Sequence, residues 1–396
     1  LSSSTGSSSS PFSAAPNMMG DTLGGACGNA FFEGQLQGSV NHPNFSNCSR
    51  QKIAENNSPM PRDRVFFAFN HFHNPIMNSV SDNDGPGDPV FLNSDTNVDR
   101  YTIGFEKTFL EEVFSIEVRL PVVDQLGTSL FYDFGTPPSV PSQRDLQLGN
   151  VTLAIKSLLY SSDSGFSISG GFLLETPTSD DVQIHAREAF VDDEDGLPPT
   201  PDDVTADYFF HYDNDATFIA PFLAFLYQPD APFFLQGFWQ TDMPVNGSDL
   251  NIEILQTFNG APSQFVDSVH FNGEAAMRFD LGAGVYLYRN PCRQGFLQAL
   301  AFQVEMHYST TIEDSEVFSI NTDFFGNADL TDGLDPNAEI LLGNVNNRMD
   351  ILNITFGPTA ILENGTTLAA GFVLPTDKGD EKPFDFEFQF QANRYF

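Results

Sequence analysis

Three aspartate clusters, Asp82-Asn-Asp-Gly-Pro-Gly-Asp88, Asp192-Asp-Glu-Asp-Gly196 and Asp332-Gly-Leu-Asp335, set carboxylates around glycines. Hard oxygen donors on a backbone free to turn are what Ca2+ takes, so Asp82, Asp84, Asp88, Asp192, Asp193, Asp195, Asp332 and Asp335 are the candidate ligands. None of the clusters has the twelve-residue EF-hand spacing, and solvated charge on exposed loops accounts for the same residues. His71 and His73 share one face of an alternating segment, but two ligands without a third nearby read as packing residues. Of three cysteines, Cys27 and Cys48 would close a local loop if bridged in an oxidising compartment; unpaired thiols are the alternative. There is no Gly-x-Ser-x-Gly elbow, and Cys292 lies in a tight turn without an adjacent base, so nothing here reads as a nucleophilic enzyme.

A second set of charges lies within segments that alternate apolar and polar residues. Twelve such runs occur, at 63–73, 99–109, 113–122, 148–160, 165–176, 216–227, 232–242, 276–289, 298–309, 348–357, 365–374 and 383–396. Each has the length of a tilted strand crossing a bilayer. If the apolar faces point outward, Arg100, Glu106, Glu117, Arg119, Lys156, Arg278, Asp280, Glu305, Asp385 and Glu387 point inward, with Arg64 beside them. Facing acidic and basic ladders would make a transverse field across a constriction. Structural ion pairs filling a narrow interior are the competing reading.

The gaps between the runs alternate in length. Those at 74–98, 123–147, 177–215, 243–275 and 310–347 are long; between them lie short turns rich in Pro, Gly, Asn and Asp, the residues tight reversals need. Within 177–215, the stretch from Thr178 to Phe190 reads as a short capped helix. Acid concentrates in these long gaps, and a negative vestibule would gather cations. An even strand count with alternating gaps predicts an all-β, transmembrane, antiparallel up-and-down β-barrel of 12 strands, with short periplasmic turns, long acidic outer loops and both termini periplasmic. Pro221 makes the sixth strand the weakest of the set.

The last run, from Pro383 to Phe396, places Phe384, Phe386, Phe388, Phe390, Ala392 and Phe396 on one face, with Asp385, Glu387, Gln389, Gln391 and Asn393 on the other. In its alternation and terminal Phe it resembles the closing strand of bacterial outer-membrane β-barrels; Arg394 departs from that pattern. The element from Pro16 to Asp21, with the segments beginning at Arg64 and Arg100, also resembles a group of planctomycete outer-membrane transporters. These resemblances imply a porin-like channel in the bacterial outer membrane, with lipid and small solutes or ions as partners, and homo-oligomers or neighbouring envelope proteins as further ones.

Composition bounds the alternatives. The chain has 396 residues, 41 Phe, one Trp, and 17 Lys plus Arg against 53 Asp plus Glu, a net charge of −36. No basic face is long enough to bind nucleic acid. No run of eighteen apolar residues forms a membrane helix, yet a mean hydropathy of −0.20 does not exclude a barrel, whose two faces cancel in any average. No basic and apolar leader precedes the Ser-rich start, so the expectation is that one has been removed. Residues 1–60 read as a Ser/Gly-rich periplasmic segment or lumen plug, and 61–396 as the barrel. The alternatives to a channel are a plugged structural or interaction barrel and a secreted acidic calcium-binding all-β protein.

Overall fold

The computed structural model describes residues 15–21, 27–33, 36–46, 50–82, 90–133, 144–190, 204–258, 261–290, 295–313, 317–321, 339–343, 350–376 and 384–396. Among them are twenty-two strands. An N-terminal hairpin, β1 (Cys27–Glu33) and β2 (Leu36–Ser46), precedes β3 (Arg64–Asp82), β4 (Val90–Phe109) and β5 (Phe114–Leu126). Then come β6 (Ser129–Asp133), β7 (Arg144–Leu148), β8 (Val151–Ser161), β9 (Phe166–Thr176), β10 (Val182–Phe190), β11 (Val204–Tyr212), β12 (Phe218–Tyr227) and β13 (Phe233–Pro244). The remainder are β14 (Ser248–Phe258), β15 (Ala261–Phe271), β16 (Ala276–Arg289), β17 (Leu297–Thr311), β18 (Val317–Asn321), β19 (Glu339–Gly343), β20 (Asp350–Leu362), β21 (Thr366–Pro375) and β22 (Phe386–Tyr395).

Twelve of these close a barrel in the order β3–β4–β5–β8–β9–β12–β13–β16–β17–β20–β21–β22, every neighbouring pair antiparallel. The first and last strands seal it from Phe386↔His73 to Tyr395↔Arg64, which leaves no open edge. These are the twelve runs read from periodicity. Alternation decides which way each side chain faces: in β8 and β22, buried and partly exposed residues strictly alternate over most of their length. Outward lie Val65, Phe67, Ile103, Phe105, Leu120, Trp239, Phe279 and Val304, all exposed. Pro221 is tolerated because the β12–β13 ladder runs from Ile219↔Met243 directly to Phe222↔Gln240, leaving the proline outside it.

Short turns gather at one end of the barrel. The β4–β5 turn holds Leu110, Glu111 and Glu112 consecutively at φ 52°, 58° and 67°, left-handed conformations that favour glycine. At Gly104 and Gly284, inward glycines lie beneath the rings of Phe66 and Phe234 on neighbouring strands; an added Cβ would sit 2.0 and 2.1 Å from those rings.

The other end is more ordered than its gaps suggest. The 74–98 gap is largely strand, since β3 runs to Asp82 and β4 begins at Val90. The stretch expected as a capped helix is strand β10. Its Val182, Ile184 and Ala186 are buried, a period of two, and the Thr178 hydroxyl ties the start of β8 instead, accepting from Val151 N at 2.9 Å and donating to Gly149 O at 3.1 Å. Strands β15, β14, β11, β10 and β6 form a separate five-stranded sheet, antiparallel except where β10 pairs with β6. Its apolar face, with Ile184, Phe210, Leu250, Ile252 and Ile254, joins inward residues Phe72, Val98, Val123, Val373 and Phe384 in one buried cluster. The hairpins grow from the β9–β12 and β13–β16 connections, while those wall residues belong to β3, β4, β5, β21 and the approach to β22. The sheet therefore lies across the mouth as a lid.

The lid also corrects the reading of the final strand. Phe384 does not join the outward face: it is fully buried, its ring 5.8 Å from that of Phe72. Asp385 does not face the lumen: it is exposed and accepts from Asn74 Nδ2 at 2.9 Å. The alternation starts only at Phe386, because at this level the interior is apolar. The β1–β2 hairpin sits at the same end, with β2 on the far half of β3 and β1 on β19, which also pairs with β18.

Candidate functional site

The lumen contains chain. Segments 15–21 and 50–60 are buried throughout except for Met60, which is partly exposed, and they run antiparallel, joined by a bridge between Met18 and Asn57 with Met18 N donating to Asn57 O at 2.8 Å. A 2.5 Å ion pair between Lys52 and Asp21 ties them a second time. Near the short-turn end Ala15 packs with Leu226, Phe234, Ala301 and Ile361; toward the lid Arg50 donates to Glu274 O at 2.8 Å. Together the two segments form a plug.

Two sides of the wall hold it by opposite chemistry. On β3, β4, β5 and β8, Arg64 contacts Glu106 and Glu117, each at 2.8 Å, while Arg119 pairs with Glu117 at 2.5 Å and Lys156 with Glu106 at 3.1 Å. Glu106 and Glu117 stand directly opposite each other across β4–β5, a repulsive placement that the guanidinium between them neutralises. The same cations then donate to the plug: Arg119 to Lys52 O at 2.8 Å, and Lys156 to Ser58 O and Asn57 Oδ1, both at 2.8 Å. Arg100 pairs with Glu55 of the plug.

On β17 and β22 the wall presents a carboxylate and amides. Glu305 accepts from Met19 N at 2.8 Å and Gly20 N at 2.9 Å, one backbone N–H on each oxygen. Gln303, Gln389 and Gln391 donate to the carbonyls of Asn17, Gly20 and Met19 at 2.9, 2.7 and 2.8 Å. His307 is clamped between carboxylates, with Nδ1 at 2.7 Å from Asp280 and 3.5 Å from Asp21, and Nε2 at 3.2 Å from Glu305. Asp21, Asp280 and His307 are close enough to share a cation, but Lys52 already supplies the positive charge at Asp21.

Nine of the ten residues expected inside are there and buried: Arg100, Glu106, Glu117, Arg119, Lys156, Arg278, Asp280, Glu305 and Glu387; Asp385 is the exception. His71 and His73 face outward and bond Asp99 at 2.6 Å and Asn97 at 2.9 Å. Of the calcium candidates, Asp84, Asp88, Asp192, Asp193, Asp195, Asp332 and Asp335 lie outside the described residues. Asp82 ends β3 and Cys27 begins β1, with only their backbone described; Cys48 lies outside. The residues that periodicity missed are Arg50, Lys52 and Glu55. Their signal was scarcity: three charges within six residues ahead of the first barrel strand, in a chain with only 17 bases.

The fold resembles solved outer-membrane proteins. An outer-membrane channel from Pseudomonas putida F1 aligns with TM-score 0.44 and 8% identity over 86% of this chain and 97% of that one. A deletion mutant of the monoaromatic hydrocarbon channel TodX gives 0.45 and 9% over 96% and 98%, and the β domain of the Bordetella autotransporter BrkA 0.40 and 11% over 85% and 100%. At these values the likeness is one of general shape. No family model and no curated protein matches the chain, so the planctomycete resemblance drawn from short motifs has no support there.

Proposed function

We propose that the protein is an outer-membrane barrel, a channel for small solutes or ions held shut by its own N-terminal segment and by a lid of folded loops. The observation that carries this reading is that segments 15–21 and 50–60 run through the lumen, buried against the inward side chains of the wall. Hydrogen bonds and ion pairs hold much of that plug, interactions that water can replace when it leaves, while Met18, Ile53 and Ala54 pack on Ala154, Leu173, Phe222 and Phe238 of the wall. The exposed aliphatic and aromatic outer face supports a lipid surround, and closure of the sheet satisfies the backbone that such a surround requires. Short turns at the end where Phe396 lies support periplasmic termini.

Conductance of purified protein in planar bilayers tests the reading. The full chain should be silent or nearly so; a chain of 61–396, with the β10–β11 and β14–β15 hairpins replaced by short turns, should give discrete ionic steps favouring cations. A folded, inserted barrel that stays silent after both removals would overturn the channel and leave the structural or interaction barrel.

A further inference from the structure

The outer wall carries a groove of about 530 Å³ at the seam where β22 meets β3. Register explains it. Ala392, Phe67, Ile103 and Leu120 form one cross-strand row, and Arg394 with Val65 begins the next row toward the short-turn end. The small Ala392 leaves a recess beside three large apolar side chains.

Arg394 stands at the rim of that recess. It is exposed, and among the described residues its guanidinium has one hydrogen-bond contact, the Thr366 hydroxyl at 3.5 Å, with no carboxylate within ion-pair distance. In a chain with 53 acids and 17 bases, this leaves the guanidinium open to an external anion. Its guanidinium offers the planar fork that matches phosphate oxygens, and a basic group near the end of a membrane strand falls at headgroup level.

The geometry points to a specific site for an anionic phospholipid, one acyl chain in the groove and the phosphate on Arg394. This rests on the membrane reading above. Delipidated full-length protein in detergent, titrated with dimyristoyl phosphatidylglycerol or dimyristoyl phosphatidylcholine and read by native mass spectrometry, should retain the anionic lipid about tenfold more tightly. Arg394→Gln should remove that preference while keeping residual binding of both lipids, and Ala392→Phe, which fills the recess, should remove binding of both at this stoichiometry. Heat-modifiable gel mobility reports that each variant is folded. Equal retention of the two lipids by the parent, or an unchanged preference in Arg394→Gln, would overturn the site. Insertion into neutral phosphatidylcholine vesicles separates the two readings: protein that inserts but does not discriminate loses only the lipid site, whereas protein that never inserts loses both.

Discussion

Replacing Glu305 with leucine should loosen the plug without opening the barrel wall. Its two oxygens accept the N–H groups of Met19 and Gly20 at 2.8 and 2.9 Å, and the residue is fully buried. A hydrogen bond to a charged group contributes about 1.5–3 kcal/mol, so two set an upper range of about 3–6 kcal/mol if they were additive. Water entering the vacated space offsets part of this, and His307 keeps Asp280. A net loss near 3 kcal/mol corresponds to about a hundredfold change in the plug-open population. Glu305→Gln keeps one acceptor but turns an NH2 toward the second N–H, so it should fall between, at about tenfold.

Hydrogen exchange read by mass spectrometry on the peptide containing 15–21 measures this directly, because Met19 and Gly20 amides exchange only when the plug detaches. Protection there should fall about a hundredfold in Glu305→Leu, while peptides from β12 and β13 on the wall remain as protected as in the parent. Unchanged protection at 15–21 in a folded variant would refute the assignment of Glu305 as the plug's latch. An equal loss at β12 would show instead that the whole barrel had been destabilised.

Three further outcomes follow from named contacts. Arg119→Met leaves Glu117 with Arg64 alone and strips donors from the carbonyls of Lys52 and Ile53; breaking a buried pair in this way should cost about 3–5 kcal/mol in denaturant unfolding, and a loss below about 1 kcal/mol would refute it. Asp63 lies outside the strands; partial burial pushes its pKa up, but hydrogen bonds from Lys107 and Thr108 outweigh that and hold it below the usual carboxylate range. A depressed folded pKa gives stability that is complete above the unfolded value of about 3.9 and lost as pH falls through the folded one, so Asp63→Asn should flatten the acid side of the melting-temperature profile; profiles that fall equally below pH ~4 would count against it. Glu111→Gly relieves a left-handed non-glycine residue at φ 58° and should stabilise by about 0.5–1 kcal/mol, net of glycine's entropy; a decrease in unfolding midpoint would show that the turn is not strained.

How much the sequence revealed depends on which physical signal each part carries. All twelve barrel strands were legible because one solvent acts on their outer faces and another on their inner faces, so the period of two is unbroken along Val151–Lys156 or Phe386–Ala392. The lid was not: Leu250, Ile252 and Ile254 alternate as cleanly, but they fall in a long gap between barrel strands, and the Asp- and Glu-rich 177–215 gap that carries β10 and β11 reads as loop and helix. Phe384 and Asp385 failed for a related reason: the pattern was extended past the level where the interior changes from charged to apolar. The course of segments 15–21 and 50–60 was not legible, since much of their fit relies on backbone N–H and C=O groups, which leave no side-chain period, and the apolar contacts of Met18, Ile53 and Ala54 are too few to make one.

The buried charges bear on what an opened lumen would select. Among the described residues ten acids and seven bases are buried, against 53 and 17 in the whole chain, so the interior is close to neutral while the acid excess lies elsewhere. Arg50, Lys52, Asp21 and Glu55 belong to the plug and leave with it, two of each sign. The lumen then keeps Glu106, Glu117, Glu175, Asp242, Glu274, Asp280, Glu305 and Glu387 against Arg64, Arg100, Arg119, Lys156 and Arg278. Expelling the plug therefore does not change the sign of the excess, but it removes the backbone groups that satisfy these charges and exposes them to water. Wall ion pairs such as Arg64–Glu106 and Arg278–Asp242 survive without the plug, so the carboxylates most altered are those whose partners depart, Glu305 foremost. A cation entering the opened lumen would meet Glu305 and Asp280 on one side and the paired arginines on the other. Selectivity by the lumen should accordingly be modest.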